Sequence, residues 1–409
     1  MLNTIVSRSA LIFVIVFILS VPIPHPWIPD IPGYLHPVFE SLVRWAGVHI
    51  FQIHHPYTVQ LVSDSTGLYI HVFTWSILSL LIAAVWTFAE RPKSHNVKLF
   101  YWFSILASYY LALQLFDYGF NKLFKWQFYL PEPNTLFTTV GDTHRDLMYW
   151  STMGVSRSYT VFAGITEIIA AILLLFKRTR LAGALFAFFV LSNVVAINFS
   201  YDISVKILSC FLLLLSIIII APDARRILSF LGGKSVAPPK KYAAGLNPSR
   251  PVWIYRSVKA FAIAYMLFST LWVYFRTNNF NDDKAARPAL HGAYNVIFFV
   301  NNGDTLPPLL TDTIRWKRVF IHRRGYFITQ DMQDNMQVYV LLTDTLKHDL
   351  IIEREESKEL FILHYARNSD NTLSVSGKLY NDSLQVRLRP IDMSKLTLLQ
   401  NEFNWTIDH

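Results

Sequence analysis

Leu115-Phe-Asp-Tyr-Gly-Phe-Asn-Lys-Leu-Phe124 closes the first of four hydrophobic helices read between residues 99 and 221. The second, 159–176, carries Glu167 at its middle, and the third, 181–197, runs into Asn198-Phe-Ser-Tyr-Asp202. The fourth, 203–221, has Lys206 near its start and is otherwise apolar. A charge inside a bilayer costs at least about 3 kcal/mol, so each of these ionisable groups needs a partner.

Outward from this stretch the whole chain reads as membrane-embedded. Of 409 residues, 53% are hydrophobic and only 16% charged, against about 25% in soluble domains. The formal charge is +9, unevenly spread. Before Arg276 there are 21 Lys/Arg against 11 Asp/Glu; from Arg276 on there are 16 against 17. A basic excess confined to the apolar part fits loop charges that set topology. It does not fit a nucleic-acid partner, which needs a basic face on a soluble module. The single cysteine, Cys210, excludes an intramolecular disulfide and a two-thiol relay.

The N-terminal region, 1–98, holds a first apolar run at 5–21, read as a retained span although its core is short enough for a signal peptide. Pro22, Pro24, Pro26 and Pro29 follow it, and the segment up to Pro37 is not expected to stay helical for long. Residues 38–53 read as an interfacial helix, with His49, His54 and His55 as an interfacial cluster rather than a metal site. Further spans are expected at 68–89, 99–120, 159–176, 181–197, 203–221 and 253–275, each of roughly the 17–25 residues that cross about 30 Å of hydrocarbon. Residues 99–226 form a four-helix core, 227–252 a basic linker and 253–275 the final span. Arg8, the 91–98 loop, the 177–180 loop and the 225–259 segment are basic. This places the N-terminus in the cytoplasm and, after about seven spans, the C-terminal part outside.

From residue 276 to 409 the pattern changes to short β-branched and aromatic runs: 294–300, 316–322, 326–330, 336–343, 349–353, 360–366, 372–378, 383–389 and 396–404. Turn signals such as Asn302-Gly303 and Arg324-Gly325 separate them. That spacing marks an all-β meander, barrel or sandwich. The fold class is therefore a polytopic α-helical membrane protein with a C-terminal all-β domain. The β domain shows no phosphate loop and no nucleophile elbow, so a binding or interaction module is expected rather than an enzyme.

The polar residues of the core converge. Tyr110, Gln114, Asp117 and Asn121 form one helical stripe, and Asp202 and Lys206 stand i, i+4. Gly164, Glu167 and Ala171 share a face, so small residues let a neighbouring helix approach Glu167. Counting along the helices puts Asp117, Lys122, Asn198, Asp202 and Lys206 near the outer face, with Glu167 roughly 13 Å below it. Two readings stand. In one, Asp117, Glu167 and Asp202 pair with Lys122, Lys206 and Arg157 and only pin the bundle. In the other, Tyr110, Gln114, Asp117, Asn121, Lys122, Glu167, Asn198, Asp202 and Lys206 line an outward-opening ligand pocket, covered by His144, Arg145 and Arg157 of the loop above. The ligand is then a quinone headgroup, a lipid headgroup or a small substrate.

At these residues the chain resembles the DoxX-like membrane family. The resemblance rests on Gly119-Phe-Asn-Lys122-Leu123 and on Glu167 in Gly164-Ile-Thr-Glu-Ile-Ile-Ala-Ala, and covers 99–226. Asn301-Asn-Gly-Asp-Thr-Leu-Pro-Pro308 and Arg315-Trp-Lys317 resemble extended Bacteroidota-type members with a β-rich tail. The resemblance implies a bacterial inner membrane, a periplasmic β domain and an accessory role in a quinone- or redox-linked complex with other membrane or periplasmic subunits. The single Cys210 departs from relatives that pass electrons through cysteine pairs. The alternative is a scaffold or lipid-binding protein whose β domain docks a periplasmic partner.

Overall fold

A computed structural model describes residues 2–21, 30–61, 63–90, 95–235, 252–400 and 405–406. Two compact units emerge: Met1–Gln127 with Ser158–Phe280, and Phe128–Arg157 with Asn281–His409.

The first unit is helical. It contains α1 (Leu2–Ser20), α2 (Ile31–His49), α3 (Thr66–Ala89) and α4 (His95–Leu123). The chain then leaves for the second unit, where α5 (Pro133–Leu136) and α6 (Arg145–Val155) lie. It resumes with α7 (Arg157–Leu174), α8 (Arg180–Ser200), α9 (Lys206–Ile220), α10 (Ala224–Leu231) and α11 (Val252–Thr277). Among the described residues, six helices are long and apolar enough to cross a membrane; α1 contributes a shorter apolar stretch, Thr4–Ser20. Their core is aromatic and aliphatic, with Phe17 stacked on Phe211 at 4.0 Å. Arg8 corrects its reading as a flanking topology charge. It lies inside α1, 1% exposed, donates to Glu90 Oε2 at 2.9 Å and covers the Trp86 ring at 4.3 Å. Residues 31–37 correct the expectation of little helix up to Pro37: they open α2, where Pro32 sits in the first turn, which needs no amide donor, and Pro37 lies inside the helix. Residues 22–29 and most of the linker, 236–250, fall outside the described residues.

The second unit is built on β1 (Gly292–Asn301), β2 (Asp304–Thr305), β3 (Trp316–His322), β4 (Tyr326–Asp331), β5 (Met336–Asp344), β6 (Asp349–Glu353), β7 (Leu360–Arg367), β8 (Leu373–Leu379) and β9 (Asp382–Pro390). Every pairing is antiparallel, and β1 pairs with both β3 and β9. The eight long strands therefore close into a barrel, which decides between barrel and sandwich. Strands 1 and 3–9 correspond to eight of the nine expected runs. The ninth, at 396–404, is corrected: 393–395 and 397–399 are short 3-10 turns, and 401–404 lie outside the described residues. With β1 joined to β9 the barrel has no edge to receive another strand. Asn302 and Gly303 both take positive φ, 51° and 92°, as the tight turn into β2 requires.

Inward residues follow period two: Leu384, Val386 and Leu388 on β9, and Leu350 and Ile352 on β6. Strands β3 and β4 break the pattern by burying both faces. The outward residues Ala293, Phe320 and Ile328 lie side by side in register. Phe137 of the 128–157 segment covers them, stacked on Phe320 at 5.7 Å. The segment expected as a loop of the helical core is thus part of the barrel unit.

Candidate functional site

Helices α4 and α7 meet at two glycines. A Cβ on Gly164 would stand 2.6 Å from Gly119 O, and one on Gly119 would stand 3.0 Å from Gly164 O. Small residues permit this approach of backbones. Lys122 follows Gly119 by three residues, and Glu167 follows Gly164 by three. The same turn of each helix that carries the crossing therefore also presents the charge. Lys122 Nζ donates to both Glu167 oxygens, at 3.0 and 2.9 Å. The two side chains are only 9% and 4% exposed. The Tyr118 ring lies 5.4 Å from the ammonium.

The other candidates separate from this pair. Asp202 is exposed and accepts from Lys206 Nζ at 2.7 Å, the i, i+4 pair read from sequence. Asp64, which sequence reasoning missed, accepts from the backbone N–H groups of Lys206 and Ile207 at 2.7 and 3.0 Å. It satisfies two of the donors that a helix N-terminus leaves open. Asn121 Nδ2 donates to Asp117 O, its own helix one turn back, at 2.9 Å. The half-buried Asp117 carboxylate accepts no hydrogen bond among the described residues, and half-buried Gln114 makes none through its side chain. Tyr110 Oη and Asn198 Nδ2 are buried and have no hydrogen-bond partner among the described residues; the Tyr110 ring is edge-on to Phe211 at 6.1 Å. His144, Arg145 and Arg157 belong to the second unit and are exposed.

A second charged cluster, unforeseen from sequence, lies within the barrel unit. Glu132, 4% exposed, lies between Pro131 and Pro133 and accepts from the backbone N–H of Arg323 at 3.2 Å and from its guanidinium. His291 Nε2 is 3.0 Å and His322 Nε2 3.7 Å from the same carboxylate. Arg323 also reaches Asp282, and its guanidinium covers the Tyr129 ring at 4.0 Å. Burial by itself would raise the Glu132 carboxyl. The His291 hydrogen bond and the charges of His322 and Arg323 outweigh it and hold the group at about 2. Burial pushes His322 down despite Glu132 beside it. The sequence signal for this site was one acid inside a proline-flanked apolar segment; its partners are up to 191 residues away.

Neither cluster presents a nucleophile beside a base, and among the described residues no group of three or more His, Cys, Asp or Glu is placed to hold a metal ion. Fold and site together define a class: a helical protein of membrane-spanning character, its bundle pinned by a buried ion pair, joined to an eight-stranded barrel. No protein-family profile matches the chain, and no solved structure matches it. The Bacillus subtilis (strain 168) protein described as "Uncharacterized protein YwoB" is 34% identical over 117 residues, 29% of this chain and 74% of that protein. The chain belongs to the family of that protein.

Proposed function

We propose that the protein is a non-enzymatic scaffold of a bacterial inner-membrane complex, anchored by its helices and docking a periplasmic partner on the barrel. One observation carries the reading: an apolar row on the barrel's outer face. Leu342, Ile351 and Ile362 stand side by side in register across β5, β6 and β7. Leu342 and Ile362 are 66% and 51% exposed; in the next row Val340 and Leu360 flank Glu353. Contiguous exposed apolar surface on a soluble module marks an interaction site. The row Ala293–Phe320–Ile328 continues into Val338; the chain covers its first three members and leaves Val338 exposed. The positive-inside pattern supports a periplasmic barrel.

The test is site-specific photo-crosslinking in native membranes. Probes at Leu342 and Ile362 are expected to capture one partner, and probes at the outward Gln385 and Arg389 of β9 are not. Equal capture from both faces, or from neither, overturns the reading.

A second reading keeps the DoxX-like resemblance and its quinone link. Its support is two buried donors of the helical unit, Tyr110 Oη and Asn198 Nδ2, which have no acceptor among the described residues. A quinone co-purifying with the wild type and lost in Tyr110→Phe supports it; absence of quinone from both removes it.

A further inference from the structure

The barrel is not filled to its rim. Where β1, β4 and β8 end and β3, β5 and β9 begin, a cavity of ≈ 280 Å³ opens. We infer that this mouth is a binding site for a single hydroxyl-rich ring, a pyranose unit. The site lies inside the barrel and stands independently of the outer docking face.

Four aromatic side chains line the cavity: Phe299, Trp316, Tyr339 and Tyr380. Phe299 and Trp316 meet edge-on at 5.4 Å, and the Tyr339 and Tyr380 hydroxyls pair at 3.4 Å, so this wall is held in place. Tyr380 is 43% exposed and offers its ring at the rim. Aromatic faces of this kind take the C–H face of a sugar ring as apolar surface.

The polar lining decides the class. Asp331, Asn335, Gln337 and Asp382 share the cavity with Thr329. The Asp331 carboxylate is consumed by its own turn, accepting from the backbone N–H groups of Gln333 and Asn335 and from Asn335 Nδ2, each at 2.9 Å. Asp382 Oδ1 accepts from Asn302 Nδ2 at 2.6 Å, which leaves Oδ2 for a ligand. Among the described residues, the Trp316 indole N–H, the Thr329 hydroxyl and the Gln337 amide make no hydrogen bond. The cavity therefore holds acceptors and donors both awaiting partners.

Other ligands fit worse. No Lys, Arg or His lines the cavity, and two carboxylates do, which opposes a phosphate or a fatty carboxylate. An acyl chain would bury the Gln337 and Asp382 polar atoms unpaired, at a cost of roughly 1–3 kcal/mol each. An organic ammonium would suit the aromatic wall but brings no acceptor for Trp316 or Gln337. A pyranose supplies donors and acceptors around its edge and apolar surface on its faces. The volume lies just under the range of roughly 300–1,000 Å³ usual for drug-sized ligands, so one ring is the expected occupant.

The test is saturation-transfer NMR on the full chain in a sugar-free polyoxyethylene detergent. The probes are methyl glucoside, methyl galactoside, N-acetylglucosamine, choline and inorganic phosphate. At least one pyranose is expected to bind at millimolar concentration, with choline and phosphate silent. Gln337→Ala and Tyr380→Ala, both at exposed positions, are expected to weaken that binding at least threefold. Leu384→Trp, which fills the floor, abolishes it. If Leu384→Trp does not fold, the first two variants decide. Silence of all pyranoses to tens of millimolar, binding of choline or phosphate instead, or affinity unchanged in Gln337→Ala and Tyr380→Ala overturns the assignment.

Discussion

Lys122 and Glu167 show how far single residues can be read from a sequence. That each needed a partner followed from the cost of a charge among apolar helices. Each follows a glycine by three residues in the sequence; that a single crossing of the two helices brings both together is visible only once the helices are placed. A methyl group on Gly164 would meet backbone at 2.6 Å, an obstacle no rotamer relieves. Gly164→Ala is therefore expected to cost at least about 2 kcal/mol, read by thermal unfolding in micelles. Gly141→Ala, with nothing within 4 Å of the added carbon, should change stability by less than about 0.5 kcal/mol. Glu132 shows the opposite limit. Its partners come from Arg323, His291 and His322, remote in the chain, so no local pattern announced it. Its carboxyl is held at about 2 in the folded barrel unit, below an unfolded value near 4.5. The stabilisation is fully present above pH about 4.5 and is lost as pH falls toward 2. Glu132→Gln removes one member of a buried charged cluster and is expected to cost about 3–5 kcal/mol at neutral pH. Acid titration of barrel unfolding should show the wild type converging on the variant below pH 4; parallel curves would contradict it.

At the scale of elements, the strands were legible and the short helices were not. Eight runs of β-branched and aromatic residues with turn residues between them matched eight barrel strands, because alternation and turn chemistry act locally. The run at 396–404 has strand composition, yet its described part, 396–400, forms a short 3-10 turn, and β1 already pairs with β9. Helices α5 and α6 were missed because Pro131 and Pro133 read as loop, and because α6 is only 11 residues long. Their purpose is tertiary: Phe137 covers the outward residues of β1, β3 and β4. Phe137 is half-buried, so Phe137→Ala should destabilise the barrel by about 1–2 kcal/mol, less than for a fully buried aromatic, although the residue lies in sequence among membrane helices. Hydrogen exchange would test this by faster exchange confined to β1, β3 and β4; unchanged protection there would show that the segment is dispensable.

At the scale of the molecule, the bilayer class of the chain followed from composition, and the six long apolar helices agree with it. The partner did not follow, because a docking face is written in cross-strand register, which spacing alone does not reveal. The central claim is that the buried ion pair is structural and that the barrel's outer row does the work. It is tested most directly by comparing two variants in the crosslinking assay. Lys122→Met/Glu167→Leu removes both charges together, and a well-packed apolar pair can replace a buried ion pair at little cost. Leu342→Lys/Ile362→Lys alters only the outer face. With the reporter at Val340, the account predicts capture within twofold of wild type for the first and at least a tenfold loss for the second. A folded first variant that loses the partner, with the second retaining it, would contradict the account and make Lys122 and Glu167 the working site.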